Sequence, residues 1–341
     1  MDNQPVIKAA IQSAVSKGIR DIRRDPNRSI RKLVDLGMQF GKGHNQKSFF
    51  TDAQSVLKDQ RSVYYTLVTS LIRNVDEETL KTLGLNVGYM SWTMGAKMIR
   101  AFEKEHSVNV PWTILLRMNR PTEKPLDLAQ LVQQGQMLGI YTYFLFVGKN
   151  TADLGRILHI AEQYSSSAFF LLAEDESMNM RMAASDAMLR NTLFVPRGGE
   201  TGLSDISGIL AQKKRMFSLN CEYNASNADY LVSEPFLQTV VAQGYPFLFF
   251  IPAPDCDENT RAYVLSQVLS VRAIARYPLF PIDLYTDVQQ VDHIISDERC
   301  MLELDADGSV LYPAAVGTLS VADQSLEALI RQAMPRIRHH R

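Results

Sequence analysis

Six short apolar runs, rich in β-branched and aromatic residues, recur at a nearly constant interval through the middle of this chain. Their starts lie 29, 27, 24, 24 and 30 residues apart. Runs of this kind that alternate with amphipathic stretches are typical of parallel βα units, in which a helix returns the chain to the next strand. The six predicted strands are Trp112–Met118, Tyr141–Gly148, Ala168–Glu174, Thr192–Pro196, Met216–Glu222 and Pro246–Pro252.

The interval suits either a barrel or an open doubly wound sheet. No G-x-G-x-x-G fingerprint follows any of the runs, and the pair Gly198-Gly199 lacks the third glycine of that motif. We therefore predict an α/β fold built on a partial (β/α)6 TIM-like barrel. The predicted segments are a helical N-terminal extension (1–108), the barrel (109–276), a C-terminal hairpin and helix (277–335), and a tail (336–341).

Helical periodicity and turn residues predict the remaining elements. Asp307-Gly308 marks a hairpin between Cys300–Leu304 and Ser309–Tyr312, because Asp-Gly supplies the positive φ of a tight turn. Asn227 and Asp257 are predicted N-caps. The predicted helices are 6–15, 30–40, 52–71, 77–83, 90–105, 126–137, 151–164, 180–189, 203–213, 228–243, 258–276 and 323–333.

Charge is balanced over the chain but not along it. Thirty-six basic and 37 acidic residues leave a net charge of −1, which argues against nucleic acid as a partner. The first 50 residues, however, hold ten Lys/Arg against four acids. The favoured interpretation of these short amphipathic helices is an extension that packs on the main domain with its charges solvated. Binding of a partner protein through the basic helices is the alternative, and peripheral membrane contact is disfavoured.

Cysteine usage and hydropathy indicate the compartment. Three scattered cysteines, Cys221, Cys256 and Cys300, form neither a disulfide framework nor a compact metal motif, and we expect buried free thiols. No apolar run approaches the 18 residues that a bilayer span requires, and the opening segment has no apolar signal core. A cytoplasmic protein is expected.

Several landmarks together resemble the radical S-adenosylmethionine superfamily, in particular a bacterial subgroup with a helical N-terminal extension. They are Val110-Pro111-Trp112 at the entry to a strand, the six βα units, the block 226–244 (SNADYLVSEPFLQTVVAQG), and Ile282–Asp287 followed by the Asp-Gly hairpin. The resemblance covers about residues 90 to 330 and implies a barrel that binds a [4Fe–4S] cluster and S-adenosylmethionine.

The residues that this chemistry needs are missing. The family's C-x3-C-x2-C motif, whose thiolates hold the cluster, falls on Met118, Thr122 and Pro125. Its Gly-Gly-Glu-Pro run falls on Val147-Gly148-Lys149-Asn150, and the subgroup's auxiliary cysteine positions fall on Ile294 and Pro313. A thioether, a hydroxyl and a proline ring cannot replace three thiolates, so we expect no cluster, no bound cofactor and no metal.

Polar residues at the strand ends are the remaining candidates, because the loops after parallel strands form the functional face of a barrel. An arginine that faces a glutamate at these strand ends is consistent with three roles: a structural ion pair, part of a small-molecule pocket, or acid–base catalysis. Asn150, Asp175, Glu176 and Asp255 are further polar residues of this edge. The predicted ligand-binding residues are Arg117, Asn119, Lys149, Glu174, Arg197, Glu200, Asn220 and Glu222.

Three functional hypotheses follow. The first is a catalytically silent relative of the radical S-adenosylmethionine enzymes that binds or regulates a partner protein or a small ligand. The second is a barrel enzyme that uses Glu174, Glu200 or Glu222 with Arg117 or Arg197 for iron-independent acid–base chemistry. The third is a cluster enzyme with unconventional ligands.

Overall fold

Helices and parallel strands alternate along most of the computed structural model, which describes residues 4–40, 44–151, 153–187, 189–198, 203–296, 299–314 and 319–336. The strands are β1 Thr113–Arg117, β2 Thr142–Val147, β3 Ala168–Ala173, β4 Thr192–Val195, β5 Leu219–Tyr223, β6 Phe247–Pro252, β7 Phe280–Asp283, β8 Leu302–Asp305 and β9 Val310–Tyr312.

The helices begin with a bundle and continue as the connections between strands. They are α1 Gln4–Ile22, α2 Pro26–Phe40, α3 His44–Val56, α4 Val63–Asn74, α5 Glu77–Gly84, the π-helical segment Leu85–Gly95, α6 Ala96–His106, α7 Leu128–Leu138, α8 Leu154–Gln163, α9 Glu176–Ala184, α10 Leu203–Gln212, α11 Ala228–Leu231, α12 Glu234–Ala242, α13 Glu258–Ile274, α14 Leu284–Ser296 and α15 Leu326–Ala333. No helix in these described ranges combines the length and apolarity that crossing a membrane requires.

The chain divides into two compact units, each built from two stretches of sequence. Unit 1 comprises Met1–Leu85 and Phe194–Tyr285, and unit 2 comprises Asn86–Leu193 and Thr286–Arg341. The boundary after Leu193 falls inside β4. The fold is therefore mixed α/β with parallel sheets. The finer expectations, a partial (β/α)6 barrel and segment boundaries at 108, 276 and 335, stay predictions.

Unit 2 is organised around a sheet with strand order β4-β3-β2-β1-β8-β9. Strands β3, β2, β1 and β8 run parallel, and β9 is antiparallel to β8. The central strands are buried on both faces, which explains why β2 reads Thr-Tyr-Phe-Leu-Phe-Val without polar alternation. Rings stack across neighbouring strands, with Phe144 and Phe170 centroids 4.5 Å apart.

Unit 1 combines a parallel sheet of order β5-β6-β7 with the N-terminal helices. Helices α1, α2 and α4 bury one apolar cluster that contains Ile19, Ile22, Ile30, Leu57, Tyr65 and Ile72. The Tyr65 hydroxyl donates to the Leu57 carbonyl inside it. The basic N-terminal segment is thus part of a packed core rather than a loose arm.

Most of the predicted elements are confirmed. The six predicted strands match β1–β6, and the Asp-Gly hairpin matches β8 and β9, with Gly308 at a φ of 87°. Asp257 caps α13 by accepting from the Thr260 N–H. Asn227 precedes α11 but makes no side-chain capping bond.

Three predicted helices differ from the structure, and one strand was not predicted. The helix predicted over 180–189 runs from Glu176 to Ala184, because Asp175 accepts from the Met178 N–H and begins it earlier. The helix predicted over 228–243 is two helices, because Ser233 caps a new start at Glu234. The helix predicted over 52–71 is interrupted between Val56 and Val63, and strand β7 was missed.

Candidate functional site

Arg117, the last residue of β1, lies among groups that the sheet register places on one face. It pairs across to Phe146 of β2, and its guanidinium carbon lies 3.8 Å from the centroid of that ring. Glu303 pairs with Leu115, two residues before Arg117, so both side chains share a face. Glu174 comes two residues after Leu172, which pairs with Phe146.

Two carboxylates hold the guanidinium. Arg117 Nη1 donates to Glu174 Oε1 at 2.8 Å, and Arg117 Nε donates to Glu303 Oε1 at 2.6 Å. The three side chains are only 17%, 21% and 11% exposed. Of the predicted roles for Arg117 and Glu174, this geometry favours the structural ion pair, because charge-assisted bonds already engage both groups.

The loops that follow β1 and β2 are tied together just beyond this cluster. The Asn119 Oδ1 atom accepts from the Asn150 N–H at 2.9 Å, and the Thr151 hydroxyl donates to the Met118 carbonyl. Gly148 allows this approach, because a Cβ at that position would collide with the Asn119 amide. Asn119 therefore connects two loops.

Lys149 and Asp175 join the next pair of loops. The Lys149 N–H donates to Asp175 Oδ2 at 2.6 Å, and the Lys149 side chain is exposed. Partial burial pushes the pKa of Asp175 upward, but bonds from the Ser177 hydroxyl and from the Lys149 and Met178 N–H groups outweigh it and hold the pKa below its ordinary value. Asp175 thus stays a charged helix cap.

A cavity of about 300 Å³ lies in unit 2 next to the end of β1. A bond from the Leu126 N–H to the Ala306 carbonyl closes one side by holding the loop after β1 against the end of β8. The lining residues are Met118, Arg120, Pro121, Thr122, Pro125, Leu126, Leu128, Asn150, Thr151, Asp153, Arg156, Ile157, Ile160 and Ala306.

All three positions of the implied cysteine motif line this cavity. Met118, Thr122 and Pro125 present a thioether, a hydroxyl and a ring to it, and no thiol is among its lining residues. The donor set does not fit a [4Fe–4S] cluster, which needs anionic sulfur ligands.

The cysteines lie apart from this cavity. Cys221 and Cys256 belong to unit 1 and Cys300 to unit 2, and all three are buried and outside any disulfide. Burial raises the pKa of the Cys221 thiol to about 12, with Arg197 opposing it weakly, so the thiol stays protonated at neutral pH. Within the described ranges, no three His, Cys, Asp or Glu residues converge as metal ligands.

The other predicted site residues belong to unit 1. Arg197 Nη2 lies 3.4 Å from Glu222 Oε1, and these side chains are 30% and 33% exposed. The buried Asn220 amide donates to the carbonyls of Val195 and Pro196, which secures the chain after β4 against β5. Asp255 is exposed, and Glu200 lies outside the described residues.

Four charged residues of unit 2 were missed as site residues. Glu303 and Asp305 are acids in the otherwise apolar strand β8. The sequence does not indicate which strand β8 pairs with. Arg120 donates to Asp305 Oδ2 at 2.9 Å. Arg156, on the first turn of α8, lines the cavity. The sequence signal that could have identified Arg156 is its position three residues after Asp153, the cap of α8.

Comparison with known proteins adds little to this geometry. No protein-family model matches the chain, and no curated protein does. Among solved structures, SuiB of Streptococcus suis bound to S-adenosylmethionine aligns with a TM-score of 0.49 at 10% identity, covering 69% of each chain.

Human mitochondrial enolase superfamily member 1 aligns with a TM-score of 0.36 at 16% identity, covering 88% of this chain and 74% of the other. Neither TM-score reaches 0.5, so the function of this chain rests on its own residues.

Proposed function

We propose that this protein is a catalytically silent, radical-S-adenosylmethionine-like cytoplasmic protein that acts as a binding module for a small ligand. One observation carries the proposal: the three positions where the resemblance implies cluster cysteines line a cavity that offers no thiolate. Loss of the metal ligands leaves a concave, largely apolar space at the ends of parallel strands, where small molecules bind in α/β proteins. The three buried cysteines form no disulfide, which supports a location in the reducing cytoplasm.

Anaerobic treatment of the purified protein with iron and sulfide is expected to leave no bound cluster, because the cavity supplies no anionic sulfur ligand. Absorption spectroscopy and assays for iron and acid-labile sulfide measure this directly. A variant with Met118→Cys, Thr122→Cys and Pro125→Cys checks that the reconstitution chemistry works. Thr122 and Pro125 are exposed, so their replacement spares the core.

Stoichiometric iron and sulfide in the wild-type protein, with cleavage of added S-adenosylmethionine, would overturn catalytic silence. Single replacements Cys221→Ser, Cys256→Ser and Cys300→Ser would then identify the unconventional ligands.

We also propose that an acidic partner protein binds the basic face of the α1–α2 hairpin. The cations concerned are exposed and form no ion pair with any described residue; they are Lys17, Arg20, Arg24, Arg28 and Lys32. Lys17 and Arg20 are three residues apart on α1, and Arg28 and Lys32 are four residues apart on α2, so each pair lies on one side of its helix. Arg24 lies in the turn between the two helices. Such a surface attracts anionic partners, and salt weakens the attraction.

Replacing these five cations by glutamine is expected to weaken binding of a 20-residue polyglutamate peptide at least tenfold at low salt. Fluorescence anisotropy of the labelled peptide measures the affinity. Charge replacement is preferable to deleting the segment, because Ile19, Ile22 and Ile30 belong to the core of unit 1. The matched control replaces exposed cations elsewhere: Lys97, Lys104, Arg181, Arg190 and Lys214.

Equal losses in both variants would show a general charge effect and contradict a specific face. Binding to phosphatidylserine vesicles without binding to the peptide would replace the protein partner by a membrane surface.

A further inference from the structure

We propose that the cavity beside β1 selects a small molecule with an apolar body and an anionic oxygen head, a carboxylate or a phosphate, and that Arg120 and Arg156 bind the head. This inference rests on the proposed ligand-binding function and assigns its ligand class. Both arginines line the cavity together with a largely apolar set of side chains.

The apolar part of the cavity comes from three separate pieces of chain. Met118 follows β1, Leu126 and Leu128 flank the Asp127 cap of α7, and Ile157 and Ile160 lie on α8. Leu128, Ile157 and Ile160 are nearly fully buried and therefore form a firm wall. At about 300 Å³ the space is at the small end of ligand pockets, which suits one short chain or a single ring.

The charged part comes from Arg120 and Arg156, whose side chains are 56% and 57% exposed. Each has a carboxylate nearby: Arg120 Nη1 lies 2.9 Å from Asp305 Oδ2, and Arg156 Nη2 lies 4.0 Å from Asp127 Oδ1. A guanidinium carries five N–H donors, so one such contact leaves others for a ligand.

The neighbouring carboxylates are already engaged by the backbone. Asp127 Oδ1 accepts from the Ala129 and Gln130 N–H groups, and Asp305 Oδ1 accepts from the Ala306 N–H. Asp153, the one acid that lines the cavity, accepts from the Arg156 N–H as the cap of α8. The residues that line the cavity thus include two cations and one anion, and the carboxylates of Asp127 and Asp305 lie beside the arginines but outside the lining.

A hydroxyl beside the arginines adds a further donor. The Thr122 Oγ1 atom accepts from the Lys124 N–H at 3.1 Å, which leaves its own hydrogen to be directed at an anionic oxygen. Charge-assisted bonds from two guanidinium groups are stronger than bonds to a neutral hydroxyl, and they disfavour a cation. The arrangement thus selects by charge at one end and by apolar contact at the other.

Calorimetric titration with four probes of equal chain length tests the inference. Octanoate and octyl phosphate carry the anionic head, octan-1-ol is neutral, and octyltrimethylammonium is cationic. We expect the anionic probes to bind at least tenfold more tightly than the other two. The double variant Arg120→Gln/Arg156→Gln is expected to remove this preference, while Arg181→Gln/Arg190→Gln, at exposed arginines away from the cavity lining, keeps it.

Two filling variants locate the bound probe. Thr122→Trp fills the cavity from an exposed loop position, and Ile160→Trp fills it from a buried position on α8. If octanol binds as tightly as octanoate and Thr122→Trp abolishes both, the ligand class is wrong and the cavity remains a binding site. If both filling variants bind octanoate as the wild type does, or no probe binds, the ligand class and the proposed binding function fail together.

Discussion

Replacing Arg117 by alanine is expected to lower the free energy of unfolding by about 3 kcal/mol, because the change leaves one buried and one partly buried carboxylate without their cation. Glu174 and Glu303 lie 2.8 and 2.6 Å from its guanidinium and are mostly shielded from water. The same variant also loses the contact between the guanidinium and the Phe146 ring. Urea denaturation at pH 7 measures the change.

The matched control is Arg120→Ala, whose ion pair with Asp305 involves a side chain that is 56% exposed. Exposed pairs contribute little, so this variant is expected to lose less than about 1 kcal/mol. Replacing Arg117 by methionine together with Glu174→Gln and Glu303→Gln should recover stability, because the charges leave together. If Arg117→Ala costs no more than the control, the structural role is wrong, and Arg117 returns as a ligand-binding candidate.

The contribution of Asp292 to stability is expected to fall as the pH rises from about 4 to about 7, because this residue of α14 keeps its proton in the folded protein. Burial raises the pKa of Asp292 from 3.8 to about 7, although the Cys300 N–H and thiol, the Trp112 N–H and the Ser296 hydroxyl oppose this. The folded state therefore binds a proton that the unfolded chain releases, so the contribution is complete below pH 4 and is lost through pH 7. A shift of this size corresponds to roughly 4 kcal/mol.

Asp292→Asn isolates this contribution, because it removes the titration and keeps the shape of the side chain. The difference in unfolding free energy between the wild type and this variant, measured by urea denaturation at pH 4.5, 6 and 8, should change steadily in favour of the variant. Asp186→Asn, at an exposed carboxylate, should show no such trend. A difference that stays constant with pH would contradict the raised pKa.

Local signals explain which elements could be predicted from the sequence. The run Tyr141–Gly148 predicts β2 because it is apolar, aromatic and short, and Asp307-Gly308 predicts its hairpin because few residues other than glycine adopt a φ of 87°. Strand β7 was not predicted because its sequence is Phe-Pro-Ile-Asp, and a proline within so short a run weakens the strand signal.

The site was predicted only in part, because local signals identify the ends of strands but not which strands pair. Arg117 and Glu174 stand at the ends of recognisable strands, so their edge of the sheet could be expected. Glu303 lies 186 residues from Arg117, and only the parallel pairing of β8 with β1 brings the two together. The sequence likewise places Asn220 at a strand end, but it does not indicate that the side-chain amide donates hydrogen bonds to the carbonyls of Val195 and Pro196.

The sequence by itself determined the alternation of strands and helices, the basic character of the first helices, and the absence of cysteines from the implied cluster positions. These properties reside in residue identity and local periodicity, which act over a few residues. Only the tertiary structure decided that Met118, Thr122 and Pro125 share a cavity with Arg156, and that two carboxylates hold Arg117. Those arrangements depend on which strands pair and in which register, and no local preference encodes a contact between residues far apart in the chain.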